Sequence, residues 1–232
     1  MLIVVTGASK GIGFEMVKLF SKDPSHLVIA ISRNIDSLNK MVRDKNTHSV
    51  LPIKADISKI VDQKKIVKTI KTLNLKIDVL VNNAGTIVNK PFEKINEKEL
   101  QSVYATNVFA PFTLIQALLP LMNTRKRPHI INISSIGGFQ GSSKFPGLSA
   151  YSSSKAALVG LTECLAEEFK TKNIAVNCLA LGAVQTEMLA KAFPGYKAPL
   201  KASQMAEFIC NFALTGHLYF NGKIIPVSST TP

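Results

Sequence analysis

A chain of 232 residues, 46% of them hydrophobic, carries enough apolar material for a sizeable core, which excludes a disordered or low-complexity segment. The 28 Lys and Arg against 15 Asp and Glu give a formal net charge of +13, which suits phosphorylated ligands, an acidic protein or nucleic acid. The lysines are dispersed and no basic run interleaves with aromatics, so the charge reads as a generally basic surface with no nucleic acid bound.

No apolar run approaches the ~20 residues of a membrane span, and Met1–Val5 lacks a basic lead, so the start reads as a strand rather than a signal peptide. Cys164, Cys178 and Cys210 match no metal or disulfide spacing and are expected as buried reduced thiols in a cytoplasmic protein. His26, His48, His129 and His217 adjoin no cluster of ligands, so no metal site is expected.

Strand-like and helical patterns alternate from the first residues. Leu2–Thr6 is a continuous apolar run, followed by a glycine-rich turn and an amphipathic stretch to Lys22. Leu27–Ser32 is a second buried strand with a helix around Ile35–Arg43, and Val50–Ala55 a third with a helix over Lys59–Leu73. Ile77–Val81 is a fourth, and a long helix capped at Asn96 covers Glu97–Met122. His129–Ser134 and Ile174–Ala180 are the fifth and sixth strands, with a long helix opening at Tyr151 and running to about Phe169 between them; a last strand covers Lys223–Val227. This alternation of helices with strands apolar on both faces predicts one α/β domain, a Rossmann-like doubly wound parallel sheet of about seven strands covered on both sides.

In such sheets chemistry sits at the carboxyl ends of the strands. Gly7, Gly11 and Gly13 fall between the first strand and first helix, where a backbone without Cβ atoms can approach a pyrophosphate against helix N–H groups. The second strand ends in Ser32 and Arg33, without the acid that usually holds an NAD ribose 2′-hydroxyl. With Lys10 nearby, Arg33 suits a 2′-phosphate, so NADP(H) is expected over NAD(H).

Tyr151 and Lys155 lie four apart and share a helix face. Unit charges ~4 Å apart at an effective dielectric of ~20 interact by roughly 4 kcal/mol. That is enough to bring a tyrosine pKa from about 10 towards neutrality, where it can exchange protons with a substrate.

Together these residues resemble the short-chain dehydrogenase/reductase family over roughly Leu2 to Met188. The family's TGxxxGxG motif reads Thr6-Gly7-Ala8-Ser9-Lys10-Gly11-Ile12-Gly13. Its adenine-side aspartate is similar to Asp56-Ile57, its NNAG motif stands at Asn82-Asn83-Ala84-Gly85, and its YxxxK pair at Tyr151 and Lys155. The catalytic asparagine matches Asn107 and the catalytic serine Ser135. The resemblance implies hydride transfer between a nicotinamide and a carbonyl carbon. Tyr151 would be the proton donor, Ser135 the hydrogen-bond donor to the carbonyl oxygen, Lys155 the group that lowers the Tyr151 pKa and holds the ribose, and Asn107 the holder of a water on a proton path. Ser9, Lys10, Ile12, Arg33, Asp56, Ile57, Asn83, Ala84, Gly85, Gly182 and Thr186 would line the cofactor with the three glycines.

The chain departs from the family at Leu181-Gly182, usually Pro-Gly, which is expected to loosen the turn at the nicotinamide edge. It departs also in a longer Gly141–Pro146 segment at the substrate mouth, and in its ending, Ser228–Pro232, where the family often makes tetramer contacts. A short lid is expected at about 187–200. The resemblance also implies a homo-oligomer, dimer or tetramer, and Arg125-Lys126-Arg127 suits an acidic acyl carrier protein bearing a 3-oxoacyl substrate. The alternative is a non-catalytic NADP(H)-binding sensor or scaffold of the same fold.

Overall fold

The computed structural model describes residues 1–43, 49–139, 141–142 and 144–228. His48, Ser143 and the terminal 229–232 lie outside the described residues.

Seven parallel strands build the sheet: β1 (Leu2–Thr6), β2 (Leu27–Ser32), β3 (Val50–Lys54), β4 (Ile77–Asn82), β5 (His129–Ser135), β6 (Ala175–Leu181) and β9 (Ile224–Val227), in the order β3-β2-β1-β4-β5-β6-β9. A two-stranded ribbon pairs β7 (Val184–Gln185) with β8 (Leu200–Lys201). The strand order reverses between β1 and β4, and this switch point opens a crevice at the carboxyl edge.

Alternation along each strand feeds two separate cores. Leu2 and Val4 of β1 face one side, with Ile66 and Ile70 of α3 (Ile60–Thr72), Leu114 of α5 (Ala110–Leu118) and Leu165 of α6 (Ser149–Glu168). Ile3 and Val5 face the other, with Met16 of α1 (Gly11–Phe20), Leu38 of α2 (Asp36–Val42), and Met205 and Ile209 of α8 (Ala202–Thr215). Each fully buried aliphatic side chain contributes about 1.5–3 kcal/mol. A parallel strand covered on both faces has no polar side, which is why these runs read as continuously apolar.

The expected long helix is interrupted. α4 (Glu97–Tyr104) starts at Asn96 with a capping box, Asn96 Oδ1 accepting from Glu99 N at 2.9 Å. A π-turn over Ala105–Phe109 then leads into α5. Pro111 offers no N–H to the carbonyl of Asn107 four residues earlier, so the ladder shifts register there. By length and hydropathy alone the run Glu97–Leu121 could cross a membrane, contrary to the reading of the sequence. Here its apolar side, including Val103, Leu114, Ile115 and Leu118, packs into the protein.

Two further expectations are corrected. Cys178 and Cys210 are buried but Cys164 is exposed on α6; all three thiols are free. The turn at Leu181-Gly182 is not loosened. β6 continues through Leu181, which pairs with Val227, and the Gly182 N–H bonds Val227 O at 2.9 Å. α8, the helix that buries Met205, Ile209 and Phe212 against α1, was not identified from the sequence.

Candidate active site

A cavity of about 570 Å³ runs along the carboxyl edge, from the glycine turn and Arg33 to Ser135, Tyr151 and Lys155 and out to α7 (Glu187–Ala192). Its volume falls in the range of small-molecule sites.

The glycine turn is held so that only glycine fits. Gly7 (φ 67°) and Gly11 (φ 55°) occupy the left-handed region, and a Cβ on Gly13 would lie 2.2 Å from Gly7 O. Thr6 Oγ1 accepts from Asn83 N and Ala84 N, both at 3.1 Å, and Asn83 Nδ2 donates to Thr6 O at 2.9 Å. Asn83 therefore braces the turn from β4. Lys10, at the helix N-cap, makes no side-chain cap bond to α1, so the first N–H groups of that helix face the cavity without a side-chain cap. These features fit a dinucleotide pyrophosphate.

At the β2 end of the cavity, Ser32 Oγ bonds Ser9 Oγ at 2.8 Å, and Arg33 is exposed beside it. Burial opposes the charge on Asp56. Two bonds from Ser58 and the nearby Arg33 and Lys59 outweigh it, so the carboxyl sits below its ordinary pKa. Ile57 is buried behind it. Lys10 is not free: its Nζ pairs with Glu187 Oε2 at 2.9 Å. Thr186 caps α7, accepting from Leu189 N at 3.3 Å, with its methyl beside Gly11. Ile12 and Gly85 also line the cavity, Gly85 lying beside Asn107 Oδ1 and Lys155 Nζ.

The structure brings Asn107, Ser135, Tyr151 and Lys155 together from β5, α6 and the π-turn. Ser135 ends β5; its Oγ accepts from Gly137 N at 3.2 Å, which leaves the hydroxyl hydrogen available. That hydrogen is directed at the Tyr151 phenol, whose ionised form it favours. Gly138 lets this turn lie against α6, where a Cβ would meet Lys155 at 2.6 Å. Lys155 Nζ donates to Ile133 O at 2.7 Å and lies 5.8 Å from the Tyr151 ring centre. Asn107 Oδ1 accepts from Thr86 N at 2.8 Å, and its amide donates to Thr86 O and Ser154 Oγ, both at 2.9 Å. Its side chain is thus a brace between the loop after β4 and α6.

The electrostatics correct one expectation. Tyr151 is not brought towards neutrality. Burial raises its pKa, and the Ser135 bond offsets this only in part. The Lys155 ammonium sits over the ring and bonds a carbonyl. Burial also lowers Lys155 itself to about 8, against a smaller opposing effect of Cys178.

Arg125-Lys126-Arg127 precedes β5 and so lies at the amino edge of the sheet. A seven-residue strand, roughly 23 Å long, separates it from the cavity. Sequence reasoning missed three contacts around the mouth: the Lys10–Glu187 pair, Asn89 Nδ2 donating to Ala192 O at 2.7 Å, and Lys90 N donating to Gly147 O at 3.0 Å. Their partners lie up to 177 positions apart, so no local pattern announces them.

A glycine turn at the switch point and a Ser–Tyr–Lys group on one cavity define a nucleotide-dependent oxidoreductase fold and site. The short chain dehydrogenase family model matches residues 1–197. The chain is 32% identical over 236 residues to the 3-oxoacyl-[acyl-carrier-protein] reductase FabG of Chlamydia trachomatis, covering 97% of this chain and 94% of that one. Among solved structures it is similar to the Pseudomonas aeruginosa RhlG/NADP active-site complex (TM-score 0.86, 27% identity, covering 98% and 94%). It is also similar to the 3-ketoacyl-(acyl-carrier-protein) reductase of Brucella melitensis complexed with NADH (TM-score 0.86, 26% identity, covering 97% and 96%). The chain belongs to the short-chain dehydrogenase/reductase family: it is an oxidoreductase, and its cofactor is a nicotinamide dinucleotide.

Proposed function

We propose that this chain is an NADPH-dependent carbonyl reductase, reversible as a secondary-alcohol dehydrogenase. The observation that carries the reading is the opening of Ser135, Tyr151 and Lys155 onto the same cavity as the glycine turn and Arg33. Solved relatives hold NADP in one case and NADH in another. The preference for NADPH rests on Arg33 at the end of β2 and on the absence there of an acid.

Reduced nicotinamide, when bound, supplies a hydride to the carbonyl carbon. Tyr151, kept protonated by its raised pKa, gives its proton to the carbonyl oxygen as the C=O π pair moves onto that atom. Ser135, its lone pair held by Gly137 N, donates to the same oxygen and stabilises the developing charge. Lys155 holds the ribose and re-protonates Tyr151 through solvent. Pro111 withholds a donor from the Asn107 carbonyl, which makes that carbonyl the anchor for a water on this path.

The FabG relative supports including 3-oxoacyl thioesters among the substrates. A carrier protein would meet the cavity mouth rather than Arg125–Arg127. The free thiols Cys178 and Cys210 fit a reducing, cytoplasmic setting, and we place the chain in a dimer or tetramer.

A screen of ketones, aldehydes and 3-oxoacyl thioesters, following NADPH absorbance, tests the reading. Turnover lost in Tyr151→Phe is expected. Tight NADPH binding with no turnover across the whole panel would favour a nucleotide sensor.

A further inference from the structure

Beyond Tyr151 the cavity changes character. Its lining there comes from three segments: Ile87 after β4, Phe145 and Leu148 before α6, and Met188, Phe193 and Tyr196 of the α7 region. These segments are bonded into one frame. Asn89 Nδ2 donates to Ala192 O at the end of α7, and Lys90 N donates to Gly147 O between Phe145 and Leu148. Gly147 (φ 83°) is forced to be glycine, since a Cβ would lie 2.0 Å from Asn89 Oδ1. The apolar rim is therefore held in place, and Phe145 and Tyr196 are each about half exposed at its edge (48% and 51%).

Among the described residues, every charged side chain lining the cavity belongs to the cofactor half or is already engaged. Lys10 and Glu187 pair with each other, Asp56 is bonded by Ser58 and faces Arg33, and Lys155 bonds Ile133 O. The substrate half presents apolar and aromatic surface, and its polar groups are uncharged hydroxyls such as those of Ser135, Tyr151 and Tyr196. A carboxylate placed there would lose its water and gain no cation, which is unfavourable; an aryl or alkyl group would be buried favourably.

We propose that the site takes uncharged ketones or aldehydes bearing an apolar substituent of about aromatic size, held between Phe145 and the α7 segment, and that it discriminates against oxo carboxylates. This rests on the carbonyl reductase reading and names its substrate class. The reaction is the one already written: the carbonyl carbon gains a hydride, its oxygen gains the Tyr151 proton, and the nicotinamide is left oxidised.

The test uses matched pairs on the full chain with NADPH. Methyl benzoylformate is compared with benzoylformate for turnover, and methyl phenylacetate with phenylacetate for binding by calorimetry. The expected result is a kcat/KM at least tenfold higher for the keto ester, with only the phenylacetate ester binding measurably. Phe193→Ala and Phe145→Ala are expected to raise KM for the keto ester about tenfold while leaving NADPH affinity within twofold. Equal or better use or binding of the carboxylates would overturn the proposal, as would failure of both phenylacetate compounds to bind. Selective binding of the ester without turnover of either ketone would support the substrate class and refute the reductase reading.

Discussion

The Lys155 ammonium lies 5.8 Å from the centre of the Tyr151 ring and gives its hydrogen bond to Ile133 O at 2.7 Å. The two residues are one helical turn apart, yet burial outweighs the Ser135 hydroxyl and the tyrosine pKa stands above its ordinary value. Tyr151 is therefore an acid held protonated. Carbonyl reduction is expected to show no loss of kcat/KM from tyrosine ionisation below pH 10, while alcohol oxidation climbs with pH. Tyr151→Phe is expected to lower turnover by about 10²–10⁴-fold while leaving NADPH affinity within threefold. A phenolate absorbing at 295 nm in the free protein, titrating near pH 7 and missing from Tyr151→Phe, would contradict the assignment.

Lys155 is a charged group held in the interior at a cost. Its pKa falls from 10.5 to about 8 in the folded chain, so folding favours the neutral amine. The associated stability is present above pH 10.5 and lost as pH falls to about 8. At neutral pH the buried ammonium is worth roughly 3 kcal/mol of destabilisation. Lys155→Met, similar in volume, is expected to raise the melting temperature at pH 7 while abolishing turnover, and the gain should shrink towards pH 10.5. Differential scanning fluorimetry across pH reads both effects.

Arg33 and the Lys10–Glu187 pair bear on cofactor choice. Arg33→Ala is expected to weaken NADPH by about tenfold, or about 1.4 kcal/mol, and to leave NADH nearly unchanged. Lys10 is occupied by an exposed partner, and such a bridge is easily given up. Glu187→Gln frees the ammonium for the phosphates and is expected to tighten NADPH by roughly threefold at low salt. Fluorescence titration of both cofactors checks each variant. An Arg33→Ala chain that keeps its NADPH affinity would remove the 2′-phosphate assignment.

His129 sets an acid limit on the fold. Burial lowers its pKa from 6.5 to about 3; its ring accepts from Asn177 through Nε2 at 2.9 Å and bonds Ala213 O through Nδ1 at 3.2 Å. The unfolded chain binds a proton that the folded one refuses, so the contribution is complete above pH 6.5 and is lost as pH falls towards 3. Unfolding free energy is expected to drop by up to about 1.4 kcal/mol per pH unit in this window from His129 alone. His129→Gln should flatten that slope in urea titrations, whatever it does to absolute stability.

The site was legible in the sequence wherever backbone geometry restricts residue choice locally. Gly7, Gly11 and Gly13 are there because a side chain would strike the turn or force a positive φ; β1 and β2 read as strands because both their faces are covered. Tyr151 and Lys155 needed only helical spacing to be paired. Less legible were α8, whose apolar stripe carried no chemistry to draw attention, and the break in the long helix, which hangs on the single residue Pro111.

By itself the sequence determined the doubly wound sheet, the glycine turn and the candidate site residues, since each is written in short-range periodicity or in a steric demand on one residue. Only the tertiary structure decided the sign of the Tyr151 pKa shift, because burial is set by strands and turns far along the chain. It also decided that Lys10 is paired, that Asn107 braces Thr86 and Ser154, and that, among the described residues, the charged groups beside the cavity's apolar end are engaged. Those properties arise where distant segments meet, and a one-dimensional pattern does not hold the distances on which they depend.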